Sequence, residues 1–172
     1  LALQAIGLLC DDVFLYNQAM SYYKYDQTTQ ANWNTDVDLY NRGTMEYIDN
    51  LVPHVSEYEA EKNAYGKIGQ MQESGRDQGH ATFSVGEAVD ICLTAWNQGD
   101  DLFSYHDNRL AAGIEFIAAY NNGGVDDLPF VTYHYATCGT AWHNAQVHTG
   151  PSGAARGQTR PYWGKIIGHY EG

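Results

Sequence analysis

Three observations predict an all-α fold. Four stretches carry apolar residues at spacings of three and four, the period of a helix face. Stop signals follow two of them, Gly99 after one and the run "NNGG" after another. The remaining sequence is polar and loop-like, and "FVTYHY" (130–135) reads either as a short strand or as an extended loop. At 172 residues the chain fits one domain, 1–172, with apolar content enough for a core.

The elements follow in order. Residues 1–24 read as one helix, with Ile6, Leu9, Val13 and Tyr16 on its buried face. The opening "LALQAIGLLC" reads as a helix already under way rather than as a signal peptide, so the chain looks like the later part of something longer. Residues 25–79 are polar and irregular, with short helices expected near 44–51 and 55–65. A helix over 80–98 places Val85, Val89, Cys92 and Trp96 in one stripe beside Ala88, Ile91 and Ala95, with Gly99 as a left-handed C-terminal cap. Behind an Asp107 cap, a helix over 107–120 presents Leu110, Ile114 and Ile117. After the loops of 121–158, Pro161 opens a last helix over 160–170, with Tyr162, Ile166 and Tyr170 on one face.

Composition excludes some partners. A net charge of −12 argues against nucleic acid and against an anionic membrane surface. It leaves room for an anionic ligand in a locally cationic pocket. Fourteen Tyr suit carbohydrate contact, since the ring packs on sugar faces and the hydroxyl hydrogen-bonds, but equally suit ordinary helix faces. The three cysteines allow one disulfide at most and show no metal-binding spacing. No run is long and apolar enough to span a membrane.

Three clusters carry chemistry. "QESGRDQGHATF" (72–83) sets Arg76, Asp77, Gln78 and His80 on a glycine-flanked turn that opens a helix. A helix N-terminus favours anions, and Arg76 and Gln78 are donors suited to a carboxylate. The plainer reading makes Asp77 a helix cap and gives Arg76 a structural ion pair. "TYHYATC" (132–138) offers Tyr133 and Tyr135 as proton donors or as half-buried loop residues. "AARGQTRPYW" (154–163) offers Arg156 and Arg160 to a sugar acid or to surface carboxylates. No serine sits in a nucleophile-elbow context.

Taken together, "QMQESGRDQGHATFSVGEAVDICLTAWNQGDDLFSYHDNRLAAGIEFIAAYN", "DLPFVTYHY" and "SGAARGQTRPYWGKIIGHY" resemble the alginate-lyase-like superfamily of polysaccharide lyases, in its glucuronan and alginate lyase branch. The resemblance covers nearly the whole chain. It implies an (α/α) toroid or barrel, here incomplete and corresponding to the C-terminal portion. Family members are longer, and the Asn that binds substrate in the family would precede Leu1, so an N-terminal half of the same toroid is an expected partner.

The resemblance also implies roles. Uronate lyases remove the proton alpha to the sugar carboxylate and expel the 4-linked oxygen, which requires charge neutralisation, a base and an acid. His80 is then base or carboxylate neutraliser. Tyr133 or Tyr135 is the acid, and one tyrosine serves as both acid and base in a syn elimination. Arg76, Gln78 and Arg160 hold the carboxylate, and Asp77 orients His80 or Arg76. The implied substrate is an anionic 4-linked polyuronate, with no cofactor and no metal, in a secreted or periplasmic setting. The competing expectations are a non-catalytic carbohydrate-binding or structural homologue, and an α/α-barrel glycoside hydrolase using Glu73 and Asp77.

Overall fold

The computed structural model describes residues 1–24, 52, 68–135, 146–158 and 160–171. Among them are five helices and one short two-stranded antiparallel ladder, so the chain is mostly helical. The short helices expected near 44–51 and 55–65 lie outside the described residues.

The expected helix over 1–24 is broken. Helix α1 (Ala2–Leu9) stops at Cys10, and α2 (Val13–Lys24) starts after Asp12. Asp11 turns the chain with φ +53°, and Asp12 Oδ1 accepts the Leu15 N–H at 3.0 Å, as an N-cap does. Folding back reverses the expected faces. Leu9 and Val13 are 88% and 64% exposed, whereas Gln4, Gly7, Met20 and Tyr23 turn inward. The inward face packs against the next helix: Gln4 Nε2 donates to Ile91 O at 3.2 Å, and Tyr23 Oη lies 3.3 Å from Cys92 Sγ.

That helix, α3 (Gln78–Trp96), begins two residues earlier than the sequence predicts. Its stripe of Val85, Ala88, Val89, Cys92 and Ala95 is wholly buried, while Trp96 is half exposed. Full burial of each valine is worth about 1.5–3 kcal/mol, and the alanines let neighbouring backbones come close. Gly99 has φ +90° and donates its N–H to Trp96 O, while Asp100 N–H reaches Ala95 O; this is the glycine cap the sequence indicates.

Helix α4 spans Tyr105–Asn121 and buries Leu110, Ile114 and Ile117 as expected, with Phe116 and Tyr120. Its start differs from expectation. Asp107 is not a cap but the middle of a left-handed turn, His106–Asp107–Asn108, whose φ values are +52°, +55° and +58°. His, Asp and Asn tolerate that region better than other side chains, and right-handed helix resumes at Arg109. Asn121 Nδ2 donates to Gln78 Oε1, so the end of α4 meets the start of α3 and the two helices run antiparallel.

"FVTYHY" contributes strand β1 (Tyr133–Tyr135), which pairs with β2 (Gln146–His148) so that Tyr133 faces His148. Helix α5 spans Trp163–Tyr170, with Pro161 and Tyr162 in the turn before it rather than inside it. It runs alongside α3: the Tyr162 ring lies on Gly86, Lys165 pairs with Asp90, and the His169 ring meets the Trp96 ring at 4.7 Å. Tyr162 and Ile166 are buried as expected, but Tyr170 stays 45% exposed. No helix among the described residues is long and apolar enough to cross a membrane.

Candidate functional site

The turn Gln72–Asp77 and the first turn of α3 form a platform, closed on one side by β1 and β2 and on the other by residues 152–158 and Arg160. Gly75 makes the first closure possible. A Cβ there would sit 2.5 Å from His148 Cβ and 2.9 Å from Tyr133 Oη. Without it, the Gly75 N–H reaches Tyr133 Oη at 3.1 Å, and the same hydroxyl donates to Gln72 O at 2.6 Å. Tyr133 is 2% exposed, so its phenol is occupied in shaping the turn. The hydroxyl clamps the turn, donating to one backbone carbonyl and accepting from one backbone N–H.

Gln78 likewise serves backbone carbonyls and a neighbouring amide. Expected to hold a substrate carboxylate, it is fully buried, and its amide is consumed. Nε2 donates to Ser74 O and Ser152 O at 2.9 and 3.0 Å, and Oε1 accepts from Asn121. It ties α3, α4 and residues 152–154 together. Sequence reasoning had little chance of finding this, since glutamine is rarely buried.

Asp77 both caps a helix and touches His80. As N-cap of α3 its Oδ1 accepts the His80 N–H at 2.8 Å, and its Oδ2 lies 2.6 Å from His80 Nδ1. Partial burial pushes its carboxyl upward, but the His80 N–H, the His80 ring and the Arg76 guanidinium outweigh this and hold it below the usual carboxylate range. An ionised carboxylate only accepts, so the His80 Nδ1 carries the proton shared with Asp77. The His80 side chain is 51% exposed, which leaves it in reach of a ligand.

The two arginines divide sharply. Arg76 bridges two carboxylates, Glu73 at 3.3 Å and Asp77 at 3.7 Å, so its charge is already shared. Arg160 donates to neutral oxygens, Gly79 O at 3.0 Å and Thr82 Oγ1 at 3.3 Å, along the first turn of α3. Its guanidinium charge is cancelled by no carboxylate among the described residues, and the two residues it binds flank His80 in sequence. Arg156, four residues earlier, is structural: it donates to Tyr120 O, pairs with Asp126 and covers the Tyr120 ring.

Two residues join the platform that motif reading did not assign to it. His148 lies across the ladder from Tyr133, ring to ring at 5.2 Å, and burial pushes its imidazole below the ordinary value, partly offset by Glu73. Asn121 closes the far side by accepting the Gly157 N–H at 3.0 Å. Both come from segments distant in sequence, and only the pairing of β1 with β2 and of α4 with α3 brings them in. The side chain of Tyr135 lies outside the described residues, although its backbone belongs to β1. Among the described residues no group of three His, Cys, Asp or Glu is placed to hold a metal ion.

Chemically, the platform offers an imidazole oriented by a carboxylate, and a guanidinium on the same helix N-terminus that no described carboxylate pairs with. That set is suited to taking a proton from a carbon next to a carboxylate. No protein-family model, no curated protein and no solved structure matches the chain.

Proposed function

We propose that the chain is a polysaccharide lyase that cleaves 4-linked polyuronates by β-elimination, built as the C-terminal portion of an α/α toroid. The observation that carries the reading is the Asp77–His80 pair with Arg160 beside it. Arg160, helped by the α3 dipole, binds the uronate carboxylate and draws charge from the adjacent carbon. His80 Nε2 removes the proton on that carbon, and Asp77 stabilises the imidazolium that forms. The electron pair becomes the new carbon–carbon double bond as the bond to the 4-linked oxygen breaks, and an acid protonates that oxygen. With the Tyr133 hydroxyl committed to Gln72 and Gly75, the acid in this reading is Tyr135, on the same strand.

The hydrolase alternative fits less well. A glycosidase needs one carboxylic acid kept protonated by a raised pKa. Here Asp77 is held low, and Arg76 bridges it to Glu73. The acidic exterior suits a secreted or periplasmic protein whose cations are confined to the cleft.

Ultraviolet absorbance during incubation with glucuronan, polymannuronate and polyguluronate tests the reading. A rise on one polymer, abolished in His80→Ala and strongly reduced in Arg160→Ala, is expected. Equal rates in wild type and His80→Ala would remove His80 from the mechanism. New reducing ends without absorbance would replace elimination by hydrolysis.

A further inference from the structure

Phe83 follows His80 by three residues, so the two side chains share a side of α3. It is 50% exposed, while its neighbours Ala81, Thr82 and Val85 are buried. A lone exposed phenylalanine is ordinary; the company of this one is not. The Arg160 guanidinium lies over its ring, with Cζ 5.2 Å from the ring centre, while the guanidinium nitrogens hold Gly79 O and Thr82 Oγ1. Cation and aromatic ring are therefore presented together, on the side of the helix that carries His80.

Gln158 completes the set. A Cβ on Gly79 would stand 2.7 Å from Gln158 Oε1 and 3.1 Å from Asp77 Oδ1, so the Gln158 amide rests on bare glycine backbone beside the residue that orients His80. Gln158 is exposed, and its side chain makes no hydrogen bond with a described residue. Three complementary groups thus line the start of α3. The guanidinium suits a carboxylate, the ring suits the C–H face of a pyranose, and the amide suits hydroxyls as both donor and acceptor.

We infer that Phe83 and Gln158 are the substrate-binding residues that select a sugar ring at this site. The uronate carboxylate binds Arg160, its pyranose face lies on the open part of the Phe83 ring, and Gln158 holds its hydroxyls. This rests on the elimination reading of the platform and adds to it the part of the site that distinguishes a cyclic uronate from any other chain of carboxylates.

Titration calorimetry of the full chain tests it, carrying His80→Ala so that no substrate is consumed. The probes are tetramers of glucuronate, mannuronate and guluronate, with tetraglutamate as a ligand of equal side-chain charge and no ring. The best-bound uronate tetramer is expected to exceed tetraglutamate by at least roughly ten-fold. Phe83→Leu, which keeps apolar bulk without a ring, should weaken it roughly three- to ten-fold, and Phe83→Trp should restore it. Gln158→Ala should weaken it about two- to ten-fold. The Phe83→Leu loss should persist beside Arg160→Ala; a loss that vanishes there would make the ring a brace for Arg160 and overturn the inference. Uronate binding indifferent to Phe83→Leu and Gln158→Ala, or tetraglutamate bound as tightly, would overturn it while the elimination reading stands on its absorbance rise. A chain that binds no uronate tetramer and gives no absorbance rise with His80 in place overturns both.

Discussion

Replacing Asp77 by Asn and by Ala separates the two tasks of its carboxylate. Oδ1 caps α3 by accepting the His80 N–H, and Oδ2 receives the proton of His80 Nδ1. Asp77→Ala loses both. The missing cap costs about 1 kcal/mol and the missing charge at the helix N-terminus about 0.5 kcal/mol more. Asp77→Asn keeps a cap oxygen and should lose only about 0.5 kcal/mol, the charge contribution. Its amide, however, can only donate to Nδ1, which moves the ring proton to Nε2 and removes the lone pair the mechanism needs. Activity should fall on the order of 10²–10⁴ in both variants, the range seen when a catalytic histidine loses its tautomer. Urea unfolding reads the stability, initial rates of absorbance read the activity, and the nitrogen-15 shifts of the His80 ring read the tautomer. An Asn variant that retains wild-type rate, or that keeps its proton on Nδ1, refutes the reasoning. So does an Ala variant as stable as the parent.

Three further outcomes follow from the same contacts. Gln78→Ala should destabilise by about 1–3 kcal/mol, because it takes a donor from Ser152 O and an acceptor from the Asn121 amide, while Ser74 O keeps the Ser152 N–H; denaturant midpoints check it. Tyr133→Phe removes the hydroxyl between Gln72 O and Gly75 N–H and should cost roughly 1–3 kcal/mol of stability, with the rate surviving in the fraction that stays folded; a rate lost from a fully stable variant would restore Tyr133 as the acid. Burial pushes Tyr162 and Tyr170 up to about 12, and Cys92 likewise to about 12. Groups raised in the folded state contribute stability that is complete below their ordinary values and is lost as pH rises toward 12. Tyr162 Oη is also buried with no hydrogen-bond partner among the described residues, so Tyr162→Phe should be neutral or slightly stabilising at pH 7 and should flatten the alkaline limb of a thermal-melting series.

What sequence could reveal was set by the range of the interactions involved. The stripe of α3, its Gly99 cap and the inward face of α4 rest on spacing and on one glycine, and these local signals held. Asp77 as cap was equally local, a carboxylate three residues before the N–H it accepts. The break at Cys10–Asp12 was missed because apolar spacing continues across it, although the Asp11–Asp12 pair carries the capping signal. The left-handed turn at His106–Asn108 leaves no mark in hydrophobic period. At the platform, chemistry-bearing residue types were visible, but their duties were not. Gln78 and Arg156 look like donors in sequence and are consumed by partners far along the chain, at Ser152, Asn121, Tyr120 and Asp126. Arg160 stands apart because its partners are neutral oxygens, which only its packing on α3 determines.

The central claim is that His80, held by Asp77, takes a proton and drives elimination. The most direct test is the mass spectrum of oligosaccharides released from each polyuronate by wild type and by His80→Ala. Elimination predicts products whose new ends are one water lighter than hydrolytic ends, formed by wild type and not by the variant. Products of hydrolytic mass, or lighter products formed equally by His80→Ala, would contradict the account.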